Sequence, residues 1–183
     1  GSIFLFSVQQ AAAKGIVDST GNILTWVDSD FSNNEIGINI GIKKSSGMSN
    51  FKLAGEFVLV GYGYNEGINL TEVGTAAFDA EGNATYDGNY TSDNQIAILD
   101  NFTYSIDAEG EAVFQLLNGK ARGVLDATGN ILAWVDTDFS NSDIGIGIGI
   151  KKSSGMSNSA LNGDYIVVSY YGSLNPSNED EAL

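Results

Sequence analysis

From Phe102 to Asp107 apolar and polar residues alternate: Phe102, Tyr104 and Ile106 fall on one side, Thr103, Ser105 and Asp107 on the other. Successive side chains leave a strand on opposite faces, so this period of two predicts a strand with one face buried. Similar β-prone runs predict thirteen strands, near residues 3–9, 12–18, 22–28, 35–43, 55–64, 73–79, 83–91, 99–107, 111–117, 120–126, 130–136, 143–151 and 164–172. Little room is left for helix.

The joints between strands carry their own signal. Asp18-Ser-Thr-Gly, Asp79-Ala-Glu-Gly, Asp107-Ala-Glu-Gly and Asp126-Ala-Thr-Gly each sit between two β-prone runs. An aspartate opening a turn accepts backbone N–H bonds, and a glycine takes the positive φ that closes a bulged hairpin. Four hairpins are predicted on this chemistry alone.

The pattern also recurs at long range. Gly15–Asn50 and Gly123–Asn158 are identical at 28 of 36 positions when aligned at a shift of 108 residues, and Leu53–Val60 resembles Leu161–Val168 at the same shift. The expected fold is therefore all-β and antiparallel, a β-barrel or β-sandwich built from an internal repeat of about 108 residues. On that period residues 1–52 are the later half of one unit, 53–160 a whole unit, and 161–183 the start of a further unit with an acidic tail. The three could also fold as one pseudo-symmetric domain.

Within the repeat, Ile36-Gly-Ile-Asn-Ile-Gly-Ile and Ile144-Gly-Ile-Gly-Ile-Gly-Ile place every isoleucine on one strand face and only Gly or Asn on the other. The isoleucine face is expected to be core. Bare backbone on the opposite face weakens a strand unless a ring, a second surface or another chain lies against it. Packing against the chain's own aromatics and contact with a neighbouring subunit both fit.

Composition narrows the chemistry. The 183 residues include no cysteine and no histidine, which removes thiol and imidazole catalysis and the usual zinc sites. Eight basic against 23 acidic residues give a net charge of −15. That charge opposes phosphate backbones, so nucleic acid is not an expected partner. No apolar run approaches the roughly 18 residues of a membrane span, so no membrane insertion is expected. Gly1-Ser2 reads as a trimmed start, which leaves secretion open. An enzyme would be confined to carboxylates, hydroxyls, Lys and the single Arg122, and no carboxylate pair stands out for glycosidase chemistry. The chain is expected not to be an enzyme.

Several motifs remain as candidate sites. Asp28, Asp30, Ser32, Asn34 and Glu35, repeated as Asp136, Asp138, Ser140, Ser142 and Asp143, space oxygen side chains at alternate positions, the preference of a hard cation such as Ca2+. The likeness to an EF-hand loop is partial, since its glycine and final glutamate positions hold Asn33 and Asn39, or Asn141 and Gly147. A polar connector capping backbone N–H groups is the alternative. Trp26 and Trp134 are expected to anchor equivalent pieces of core, the rival being an aromatic ligand site at a barrel mouth with Tyr62, Tyr64, Tyr170 and Tyr171. Lys43-Lys44-Ser-Ser-Gly-Met and its copy at Lys151 read as linkers whose lysines could meet acidic patches on a neighbour. Asn69, Asn83, Asn89 and Asn101 head Asn-x-Thr sequons.

The phrases Trp134-Val-Asp-x-Asp138, Gly145-Ile-Gly-Ile-Gly-Ile-Lys-Lys-Ser-Ser-Gly-Met156 and Leu53-x-Gly-Glu-Phe57 resemble tandem β-repeats of secreted, repetitive bacterial proteins. Leu-x-Gly-x-Phe followed by hairpins is also similar to avidin-like and lipocalin-like up-and-down barrels. The first resemblance implies an extracellular or cell-surface β-rich protein and brings no assigned activity with it. The expected function is structural or adhesive, with self-assembly into a homo-oligomer or fibre by strand pairing between Ile3–Val8 and Tyr165–Tyr170 of successive chains. The alternative is a barrel binding a small molecule or a glycan.

Overall fold

The computed structural model describes residues 2–8, 11–30, 35–65, 68–91, 95–116, 119–136 and 144–155, with positions 157, 159, 162 and 164. Among these, the elements in chain order are β1 (Ser2–Val8), β2 (Ala11–Val17), β3 (Ile23–Asp30), β4 (Glu35–Ile42), α1 (Asn50–Leu53), β5 (Gly55–Asn65), β6 (Ile68–Phe78), β7 (Asn83–Thr91), β8 (Gln95–Ile106), β9 (Glu111–Leu116), β10 (Gly119–Leu125), β11 (Ile131–Asp136) and β12 (Ile144–Lys151). Twelve of the expected strands are present, and the run near 164–172 falls almost wholly outside the described residues. The chain divides into two units, Gly1–Gly41 with Gly163–Leu183, and Ile42–Asn162.

In the first unit β1, β2, β3 and β4 lie side by side in that order. Gly15 pairs with Phe4 on one side and Trp26 on the other. In the second unit β5 to β12 follow one another around a closed antiparallel barrel, with β12 pairing back onto β5. The sandwich alternative is thereby replaced by an eight-stranded barrel, a size whose interior side chains can fill. There Gly123 pairs with Ala112 and Trp134, the same register as around Gly15 but 108 positions later (15 + 108 = 123).

The expected hairpin chemistry is present at all four joints. Asp18, Asp79, Asp107 and Asp126 each accept backbone N–H bonds from residues two to five positions on. Gly21, Gly82, Gly110 and Gly129 hold φ of 71°, 97°, 91° and 74°.

Period-two alternation fixes which positions enter the barrel. Phe57 and Leu59 are buried while Val58 and Val60 are exposed, and Phe78, Ala84, Tyr104, Phe114, Leu125 and Leu132 join the buried set. Phe78 is the hub of an aromatic lattice, edge-on to Phe57 at 5.4 Å, to Tyr104 at 5.2 Å and to Phe102 at 6.0 Å. Such edge-to-face contacts add to the area each ring removes from water.

The segment Lys43–Met48, expected as a linker, is part of this unit. Backbone bonds tie Ser45 to Glu109 and Met48 to Ala108. They bring Met48 into the core beside Leu53, the fully buried end of the single helical turn α1. The Asn50 side chain accepts the Ile106 N–H at 2.8 Å, which fastens that turn to β8.

The isoleucine face overturns the expectation. Register places Leu132 and Trp134 opposite Gly149 and Gly147 on one face of β11–β12, and Asp136 lies beside Gly145 on the same face. Leu132 is buried in the core, so this glycine face points inward, and Ile146, Ile148 and Ile150 point outward. Hydropathy alone would put isoleucine inside. The glycines win that place because large rings from neighbouring strands need the room.

Candidate functional site

The glycine-lined stretch of the barrel interior is where small residues leave space within the wall, so what fills that space bears on what the barrel can hold. β5 contributes Gly61, β6 Gly74, β7 Gly88 and β12 Gly147 and Gly149, all with their missing side chains directed at other atoms of this unit. Trp134 lies flat over Gly147: a Cβ built there would be 2.1 Å from Cζ2 of the indole. Tyr86 does the same on the other wall, its hydroxyl lying 1.9 Å from a Cβ built on Gly88 and 2.6 Å from one built on Gly74. Leu59 covers Gly149. Rings that repair glycine gaps across strands are a recurrent device of curved sheets.

Acids share the inward parity: Glu72 on β6, Asp100 opposite Tyr86 on β8, and Asp136 at the end of β11. Glu72, on the inward parity of β6, receives a hydrogen bond from the Tyr86 hydroxyl. Burial pushes its pKa up, and the tyrosine bond only partly counters that. A carboxyl whose folded pKa is raised binds more protons folded than unfolded, so stability falls as pH rises from the unfolded value through the folded one. Glu72→Gln should therefore raise the melting temperature at neutral pH by a few degrees, roughly the effect of 1 kcal/mol in a domain of this size. Near pH 4 the gain should vanish. Melting curves of both proteins from pH 4 to 8 check this.

The predicted cation ligands are only partly placed. Asp28 and Asp30 are strand residues of β3, and Glu35 opens β4. Asp136 ends β11 on the inward face, its Cβ 3.6 Å from a Cβ built on Gly145. Ser32, Asn34, Asp138, Ser140, Ser142 and Asp143 lie outside the described residues. Among the described residues no trio of Asp or Glu stands close enough to hold a metal ion.

Within the barrel unit Trp134 and Tyr62 do not converge. Trp134 is inward and half-buried, whereas Tyr62 is exposed on the outer face of β5. The side chains of Tyr64, Tyr170 and Tyr171 lie outside the described residues. Trp26 in the first unit lies over the glycine of the next strand, with Cζ3 3.4 Å from a Cβ built on Gly41. A shallow depression of about 440 Å³ lies on the β6–β7–β8 side, lined by residues that include Ala77, Asp79, Thr85, Asn101 and Thr103, with neither Trp nor Tyr.

The lysine pairs are used locally. Lys44 pairs with Glu109, Lys152 with Glu56 at 2.8 Å, and the Lys151 ammonium lies 5.7 Å above the Phe57 ring. All these residues belong to Ile42–Asn162. What sequence reasoning missed is Glu72 with Tyr86: the signal available was an acid and a tyrosine on strands rich in glycine.

No family model matches the chain, and no curated protein matches it. Among solved structures it is similar to isotype 1 transferrin binding protein B from serogroup B Neisseria meningitidis, with a TM-score of 0.46 and 9% identity over 82% of this chain and 36% of that one. It is also similar to a protein of unknown function from the DUF3598 family of Nostoc punctiforme, with a TM-score of 0.35 and 9% identity over 80% of this chain and 70% of that one. The chain thus spans little more than a third of the first structure.

Proposed function

We propose that this chain is a non-catalytic structural or adhesive protein of the cell exterior, assembled from tandem barrel units of about 108 residues. The observation that carries this reading is the occupied barrel interior. Trp134, Tyr86 and Leu59 stand over the glycines that would otherwise leave room for a ligand. A lipocalin-like binder needs the opposite, an open apolar cavity with a few convergent polar groups. The identical register around Gly15 and Gly123 supports taking β1–β4 as the counterpart of β9–β12 in a second unit. Among the described residues no helix is long and apolar enough to cross a membrane.

A thermal-shift panel of small apolar ligands and oligosaccharides, run on the full chain, tests this. A filled barrel should show no saturable rise in melting temperature and no change in tryptophan emission. A ligand that raises the melting temperature with saturation, and shifts that emission in parallel, would mean the barrel is a binding module.

A further inference from the structure

We infer that the outer face of the barrel over β11, β12, β5 and β6 is a self-association surface, on which a second copy of this chain packs sheet against sheet about a twofold axis. The inference rests on the structural reading above and adds the face that is used. Register lays the outward residues of these strands in three rows: Val135, Ile146, Tyr62 and Thr71; Ala133, Ile148, Val60 and Val73; Ile131, Ile150, Val58 and Thr75. Ten of the twelve positions are apolar and none is charged, in a chain with 31 charged residues (8 + 23).

Most of these positions are open to solvent, while Ala133 is buried among its larger neighbours and Ile131, Ile146 and Ile148 are half-buried. Val60 is 51% exposed, Val73 57% and Ile150 56%, with Val58, Tyr62 and Val135 all at 40% or above. The rest of the barrel exterior is built differently. Among the described residues of β7 and β8 the exposed ones are Asn83, Thr85, Asp87, Asn89, Asn101, Thr103 and Ser105, and the Arg122–Glu111 ion pair at 3.1 Å bridges β10 and β9. At the foot of the aliphatic rows stands the Glu56–Lys152 pair, so an apolar centre meets a charged rim, as in protein interfaces.

Three arguments select a second copy as the occupant. The six most exposed of these side chains leave on the order of 500 Å² per chain, so two faces together reach about 1,000 Å², the lower bound of a specific interface. Flat rows of β-branched residues interdigitate with a like surface, which is how the two sheets of a sandwich pack. Lys152 at the foot of the rows is paired with Glu56, and a charge of −15 opposes an anionic lipid surface. The closed barrel itself offers no edge strand, so association through the barrel runs by face contact. Two acidic copies repel, so the dimer should tighten as salt screens them.

Sedimentation of the full chain over the micromolar range tests this. A monomer–dimer equilibrium strengthened by salt is expected. Val60→Lys combined with Ile150→Lys should raise its dissociation constant about tenfold or more, while Thr103→Lys on the opposite face should leave it unchanged. Both sites are exposed, so circular dichroism and melting should stay as in the unaltered protein. Because the chain has no cysteine, Val60→Cys should oxidise to a linked dimer and Thr103→Cys should not. A monomer at every concentration overturns the inference. So does a dimer that survives the double substitution, or binding to phosphatidylcholine vesicles without dimerisation. None of these results touches the ligand panel, whose failure would sink the functional reading separately.

Discussion

Gly147→Val is expected to unfold the barrel or to leave it molten, the largest effect of any single substitution discussed for this chain. The new Cβ alone would stand 2.1, 2.4 and 2.6 Å from Cζ2, Cε2 and Cη2 of Trp134, before the two methyl groups are added. The indole has little freedom to retreat. Trp134 pairs with Gly147 on one side and Gly123 on the other, and a Cβ at Gly123 would already be 2.5 Å from the Ala133 carbonyl oxygen and 3.1 Å from the Phe114 ring. Overpacking costs about 1–3 kcal/mol where neighbours can shift, and more where they cannot. A loss of about 3 kcal/mol or more from a total of roughly 5–15 makes cooperative melting hard to observe. A double-mutant cycle supplies the check. Trp134→Ala alone should cost about 3–5 kcal/mol by leaving a cavity. Combined with Gly147→Val it should cost clearly less than the sum, since the valine moves into the space the ring vacates. Additive effects would mean that the two residues do not oppose each other across the barrel interior. The other copy of the motif gives a reason to expect local tolerance there. Asn39, 108 positions earlier, already carries a side chain, and Trp26 lies against Gly41 at ordinary contact distance.

The same residues show what the sequence could and could not say. Local chemistry was legible: each Asp-x-x-Gly turn formed as expected, because its aspartate and its positive-φ glycine act within five residues. Parity along each strand was legible too, since it needs only a period of two. Which parity faces inward was not. Isoleucine against glycine argues for isoleucine inside, and the answer depends on how the rings pack: Trp134 of β11 over Gly147 of β12, and Tyr86 over Gly88 of its own strand and Gly74 of β6. Strand lengths suffered from the same cause. β6 begins at Ile68 and β8 at Gln95, earlier than expected near 73 and 99. Gly74 reads as a breaker in isolation, yet it lies inside β6 under the Tyr86 ring. Met48 was hidden for a different reason. A buried methionine inside Lys-Lys-Ser-Ser-Gly-Met has no periodicity to announce it, and only the backbone bonds to Ala108 and Glu109 bring it to the barrel.

Asp126→Ala is the second large effect expected, and it carries a pH signature. The carboxylate is 6% exposed and accepts four bonds in the β10–β11 turn: from the N–H groups of Asn130 and Ile131 at 2.8 Å each, and from the N–H and hydroxyl of Thr128. Burial pushes its pKa up, but the Thr128 hydroxyl and the three N–H groups more than offset this and hold it below the ordinary carboxylate value. A depressed folded pKa contributes stability that is complete above the unfolded pKa near 4 and is lost as pH falls through the folded value. Removing the side chain strands partly buried donors as well, so Asp126→Ala should cost about 2–4 kcal/mol at neutral pH. Asp126→Asn should cost less, because one oxygen still accepts while the amide hydrogens face the Thr128 donors. In both variants the fall in melting temperature between pH 4 and pH 2 should be shallower than in the unaltered protein. Asp18 is the internal control. It makes the same bonds to Thr20, Asn22 and Ile23 in the β2–β3 turn. Water can reach that turn more easily and replace the lost carboxylate, so Asp18→Ala should cost distinctly less. Equal losses at the two turns would show that burial of Asp126 adds nothing to what the hairpin bonds supply.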